Sequence, residues 1–187
     1  MIKKWLFSFS VLLILSACSQ QENVDVIKDE EVDEVVSIQD VKIPDVIFTS
    51  EKQNSVIDEE EMKVSIKTYL DSFEELSNAS EPFLDYIDEE ETLTTEDQQK
   101  LDEINKLAKE NDENFSNYIS TNTLPEGYQE EVERISQYVT SANELLANLN
   151  MISIVEKGKV VNGKEQQKIE DFLDEKNIDT KAFGRQS

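Results

Sequence analysis

The chain has 187 residues, with 42 Asp and Glu against 18 Lys and Arg, no histidine, one cysteine and a net charge of −24. That balance argues against nucleic acid as a partner, because phosphate binding needs clustered Lys and Arg and here they are scattered. Lacking histidine and any cysteine beyond Cys18, the chain is without the commonest general base and cannot form an internal disulfide.

At the N-terminus, Lys3 and Lys4 precede an apolar run from Trp5 to Leu15 that only Ser8 and Ser10 interrupt. A charged start followed by so short an apolar stretch has the form of a cleaved signal, since a helix crossing roughly 30 Å of hydrocarbon needs about 20 residues. The next four residues, Leu15-Ser16-Ala17-Cys18, resemble the lipobox of bacterial lipoproteins, in which the cysteine receives a diacylglycerol before the signal is cut. The resemblance implies a signal peptide over 1–17, lipid attachment at Cys18 and a position on the outer face of the cytoplasmic membrane. Two or more acyl chains on one residue anchor stably where a single chain binds only marginally. An ordinary secretory signal would leave the lone thiol unexplained.

Two of the 18 basic residues and none of the acidic ones precede Cys18, which leaves 16 against 42, or −26, for the mature chain. Anionic headgroups and wall polymers repel such a surface within a Debye length of about 8 Å. A partner bound by charge is then an envelope protein with a basic surface. The plainer reading is charge that keeps an exposed domain solvated.

Residues 18–57 have the composition of an acidic, largely disordered tether, with carboxylates clustered at Asp29 to Glu31 and at Asp33 and Glu34. A flexible coil of that length holds the domain on the order of 35 Å from the membrane. Within it, Val41 to Phe48 is rich in β-branched residues. Pro44 rules out a central strand there, so the expectation is an extended segment docked on the domain.

From 58 to 187 the pattern is helical. Asp58 and Glu61 form a capping-box-like start, and Met62, Ile66, Tyr69, Phe73 and Leu76 follow at helical spacing, continuing through Ser80, Phe83 and Ile87. Pro82 removes a hydrogen bond to the Asn78 carbonyl, which predicts one kinked helix or two abutting ones. A second helix is expected near Thr94, with Leu101, Ile104, Ala108, Asn111, Phe115 and Tyr118 as its seam. The third follows Thr123 and Leu124 with Pro125 in its first turn, and its seam runs Tyr128, Val132, Ile135, Val139, Ala142, Leu146 and Leu149. Met151 to Val161 either extends this helix to Gly158 or folds as a small hairpin. Asn162 and Glu165 open a short last helix with Ile169, Phe172 and Leu173 on one face, and the tail from Ile178 through Phe183 follows it. The fold class expected is all-α: an antiparallel three-helix bundle of roughly 40 Å with a kinked first helix and a short C-terminal helix.

Asn111 breaks the apolar seam, and a buried polar side chain must find partners or cost stability. Asn111-Asp112-Glu113-Asn114-Phe115 resembles the motif for which the NDxxF-motif lipoproteins of Bacillus-like bacteria are named. Those are small anchored proteins of unknown function, so the resemblance implies a Gram-positive membrane lipoprotein and no activity. Two physical readings stand. Either Asn111 fixes helix register, with Phe115 in the core and Asp112 turned to solvent or a neighbouring backbone, or Asn111 and Asp112 line a polar pocket beside Phe115 and Tyr118.

Catalysis has little support in the sequence: carboxylate pairs are the only option left, and among 42 acidic residues no glycosidase-like pair can be picked out. Gly-x-Ser-x-Gly and phosphate-loop patterns are absent, and there is no Cys or His ligand set and no Asp-rich calcium loop. The expectation is a non-enzymatic interaction module without a metal or cofactor, or alternatively a small-ligand-binding or chaperone-like lipoprotein with a pocket near Asn111.

Overall fold

The computed structural model describes residues 38–88, 92–147 and 157–185. The expected signal peptide, Cys18, the first part of the tether and the stretch 151–156 lie outside these residues. Among the described residues the chain is all-helical, with four α-helices, two short 3-10 turns and no strand apart from one isolated parallel bridge between Val56 and Thr123.

Helix α1 spans Glu59–Asp88 and runs unbroken through Pro82. Its start is set by Asp58, whose Oδ1 accepts a hydrogen bond from the Glu61 N–H at 2.9 Å. Three glutamates, Glu59 to Glu61, occupy the first turn, where carboxylates favour the positive end of the macrodipole. Helix α2 spans Thr95–Thr121, and the Thr94 hydroxyl caps it by accepting from the Asp97 N–H. Helix α3 spans Gln129–Ala147. It begins later than the position of Pro125 suggests. Gly127 adopts φ 82, a left-handed conformation that no helical turn contains, so Pro125 opens a tight turn closed by the Tyr128 N–H onto its carbonyl at 3.2 Å. Helix α4 spans Gly163–Lys176, capped by Asn162, which accepts from the N–H groups of Lys164 and Glu165. At its other end Asn177 takes φ 56, and the Ile178 N–H reaches back to the Leu173 carbonyl at 2.8 Å, a Schellman-type stop.

α1 packs on α2, α2 on α3 and α3 on α4. The buried positions follow the helical period: Met62, Ile66, Tyr69 and Phe73 on α1, Phe115 and Tyr118 on α2, and Val132, Ile135, Val139 and Ala142 on α3 all lie in one apolar cluster. A second cluster joins Leu76 and Phe83 of α1 to Leu101, Ile104 and Ala108 of α2. The tail completes the first cluster with Ile178 and Ala182. Asp71 holds that tail in place, its Oδ1 accepting from the Thr180 hydroxyl and the Lys181 N–H, both at 2.8 Å.

Residues 38–57 depart from the expected tether. Ile38, Val41, Ile43 and Ile47 pack against the second cluster, while Phe48 and Ile57 are buried in the first. The packed domain accordingly includes residues 38–57, ahead of the expected boundary at 58. The physical reason is the burial of these apolar side chains together with partners for the backbone. The Asn54 and Ile57 N–H groups donate to the carbonyls of Thr121 and Thr123, and the Thr123 N–H donates to the Ser55 carbonyl. Composition averaged over an acidic segment hides six apolar residues that pack on the domain.

Phe48 is 3% exposed, so its removal leaves a cavity in the main core. Phe48→Ala should lower unfolding stability in urea by about 3–5 kcal/mol. A loss under about 1 kcal/mol would show that the segment does not dock as described.

Candidate functional site

The NDxxF stretch sits in the middle of α2, and each of its motif side chains has a distinct task. Consecutive residues of an α-helix point about 100° apart, so Asn111 and Asp112 address different neighbours. Asn111 is fully buried. Its Oδ1 accepts from the Phe48 N–H at 2.8 Å, and its Nδ2 donates to the Tyr69 carbonyl of α1 at 3.2 Å. One helical turn on, Asn114 Nδ2 donates to the Phe48 carbonyl at 3.0 Å. Both polar groups of the Phe48 backbone are thus satisfied by asparagines of α2. An extended segment outside any sheet needs such partners when it is buried.

Phe48 itself enters an aromatic socket. Its ring meets Phe115 edge-on at 5.2 Å and Tyr118 at 5.3 Å between centroids. Phe115 also stacks flat on Tyr69 at 4.0 Å, tying α2 to α1. The Tyr118 hydroxyl accepts from Ser65 at 3.2 Å and donates to Glu61 at 3.4 Å. Just past the end of the same helix, the C-cap residue Asn122 repeats the backbone grip: its Oδ1 accepts from the Ser55 N–H, and its Nδ2 donates to the Lys52 carbonyl. Asn111, Asn114, Phe115 and Tyr118 of α2, with Asn122 at its C-cap, therefore hold residues 48–55.

Asp112 turns the other way. The expectation that it faces solvent or a neighbouring backbone does not hold: it is buried and its partners are side chains. Its Oδ1 accepts from the Tyr69 hydroxyl at 2.7 Å and its Oδ2 from Asn143 Nδ2 of α3 at 3.0 Å. Burial pushes the carboxyl above its usual range and the charge of Glu144 adds to that, while the donors Asn143, Tyr69 and Thr140 pull it back. Burial followed by the Asp112 charge drives the Tyr69 phenol well above its ordinary value, which keeps it a hydrogen-bond donor.

The four predicted residues do not line one pocket. Asn111, Phe115 and Tyr118 surround Phe48 in a closed core, and Asp112 looks onto a separate cleft of about 660 Å³ between α1, α2 and α3. Every buried side-chain polar atom among the described residues has a hydrogen-bond partner. Sequence reasoning missed Asn114 and Asn122 as backbone clamps, although the three-residue offset of Asn114 from Asn111 places it on the same helix face; Asn122 follows the last helical residue, where helical periodicity no longer reports its neighbours. Asn143 carried no signal, because it stands one position off the α3 seam.

Among the described residues no three acidic, His or Cys side chains are grouped to hold a metal ion, and no helix is long and apolar enough to cross a membrane. Comparison with known proteins finds no counterpart: no family model matches the chain, and neither a curated protein nor a solved structure is detectably similar.

The raised Asp112 carboxyl has a consequence for stability. The folded chain holds this proton more tightly than the unfolded chain does. The contribution of Asp112 is therefore fully present below its ordinary value of 3.8 and is lost as pH rises through the higher folded value. Measured by urea unfolding, the stability of the wild type relative to Asp112→Asn should increase as pH falls from neutral to about 4. A difference that stays level, or shrinks on acidification, contradicts the burial of this carboxylate.

Proposed function

We propose that the chain is a lipid-anchored lipoprotein of a Gram-positive envelope, of the NDxxF-motif kind, that serves as a non-enzymatic interaction module on the outer face of the cytoplasmic membrane. Lipid on Cys18 anchors it, and the acidic chain that follows spaces the domain from the bilayer. The partner is an envelope protein with a basic surface. The observation that carries this reading is the closed, fully partnered core around Asn111, which gives the motif a structural task and leaves the strongly acidic surface as the feature available for recognition.

The helices of this module form an antiparallel three-helix bundle with a kinked first helix and a short C-terminal one. Support comes from the side-chain pairs between α1 and α2. Ser65 meets Tyr118 and Tyr69 meets Asp112, so rising numbers on one helix face falling numbers on the other. The bond from Asn143 to Asp112 brings in α3.

A second reading, a lipoprotein that binds a small ligand, is favoured by one observation: the cleft beside Asp112 has the volume of a small-molecule site, which typically falls within about 300–1,000 Å³.

Expression in a Gram-positive host fed an alkyne-tagged fatty acid tests the anchor. The wild-type chain should carry label and sediment with membranes, and Cys18→Ala should lose both; a Cys18→Ala chain that still labels and sediments overturns the anchor. Immobilised mature chain should then retain a basic envelope protein at low salt and release it at high salt. Capture no better than a helical bundle of equal charge would remove the interaction reading.

A further inference from the structure

The cleft on the Asp112 side of α2 is walled by carbon and floored by a carboxylate. Leu76 of α1, Ile104 and Ala108 of α2 and Leu146 of α3 supply apolar surface, and Asp112, Thr140, Asn143 and Glu144 gather the polar atoms. Asp112 is joined there only to neutral donors: the Tyr69 hydroxyl, the Asn143 amide and the Thr140 hydroxyl. Among the described residues no Lys or Arg forms an ion pair with it. The two lysines that also border the cleft are engaged elsewhere, Lys106 with Glu110 and Lys109 with Glu113. Glu144 also lines the cleft and adds a second negative charge near Asp112, and it is itself paired with Lys157.

An ionised carboxylate offers about four lone-pair positions, and three donors leave one open. A buried negative charge surrounded by neutral dipoles is stabilised further by a cation, provided that the cation need not stay fully hydrated. The apolar wall answers that condition, because a ligand with a carbon body brings its own desolvated surface. Asp102 and Glu113 at the border disfavour anions.

We propose that this cleft binds a small organic ammonium ion with an apolar body, its nitrogen against Asp112 and its carbon skeleton along Leu76, Ile104, Ala108 and Leu146. The assignment rests on the second reading above, that the chain is a ligand-binding lipoprotein, and adds the class of ligand. The ligand is a free small molecule, not a side chain of a protein partner.

The test titrates the mature chain with 4-phenylbutylammonium and with its neutral analogue 4-phenylbutanol, following amide chemical shifts by NMR. The ammonium should saturate, shift amides around Asp112 and Asn143, and bind about tenfold or more tightly than the alcohol. Asp112→Asn should remove that preference. Glu144→Gln, at a half-exposed position where folding is not at stake, should reduce the preference in part. Equal affinity for ammonium and alcohol overturns the cation assignment and leaves the ligand reading standing. Saturation by neither overturns both. A lysine-bearing amphipathic peptide that binds about tenfold more tightly than the free ammonium overturns the small-molecule assignment and gives the cleft to a protein partner.

Discussion

A carboxamide side chain offers one acceptor oxygen and two N–H donors, and in the core of this protein Asn111 uses them to join three parts of the chain. It takes the Phe48 N–H, gives a hydrogen to the Tyr69 carbonyl and is itself part of α2. Left without that oxygen, the Phe48 N–H would be a buried donor with no partner, a cost of about 1–3 kcal/mol. The bond accompanies the burial of Phe48 in the socket formed by Phe115 and Tyr118, and so seats the middle of the segment from 41 to 57. A seam asparagine in a bundle often sets helix register. Here the same residue also selects which backbone of the N-terminal segment may enter the core.

The arrangement continues down α2. Asn114 and the C-cap residue Asn122 hold the Phe48 carbonyl and the Lys52 and Ser55 backbone, so α2 and its C-cap do for an extended segment what a neighbouring strand would do in a sheet. Because the contacts are to main-chain atoms, they constrain path more than side-chain identity, and Phe48 alone supplies a large aromatic anchor. Asp112 performs the complementary task on its own side of α2, drawing in Tyr69 and Asn143 and bringing α3 to the pair.

Much of the helical architecture was legible beforehand because its signals are local. Asp58, Thr94 and Asn162 each cap a helix near the expected start, and Met62 through Phe73, Phe115 with Tyr118, and Val132 through Ala142 are buried with the expected period. The start of α3 differs from the expected one because Pro125 suits a tight turn as well as a first helical turn, and Gly127 decides between them only through its positive φ. The docking of 38–57 was seen only for Val41 to Phe48, since the bonds that hold it run between residues more than 60 positions apart. The motif's position in the seam was readable. That Asn111 and Asp112 serve different neighbours follows from helix geometry, but which neighbours they find is a property of the packed chain.

The central claim is that Asn111 fixes the Phe48 backbone in the core, and amide hydrogen exchange at Phe48 in the wild type and in Asn111→Ala tests it most directly. The account predicts a Phe48 amide protected in the wild type to the level of the α2 core, with that protection lost in the variant while the α2 amides around Phe115 remain slow. A Phe48 amide that exchanges freely in the wild type, or that stays protected without Asn111, would contradict it.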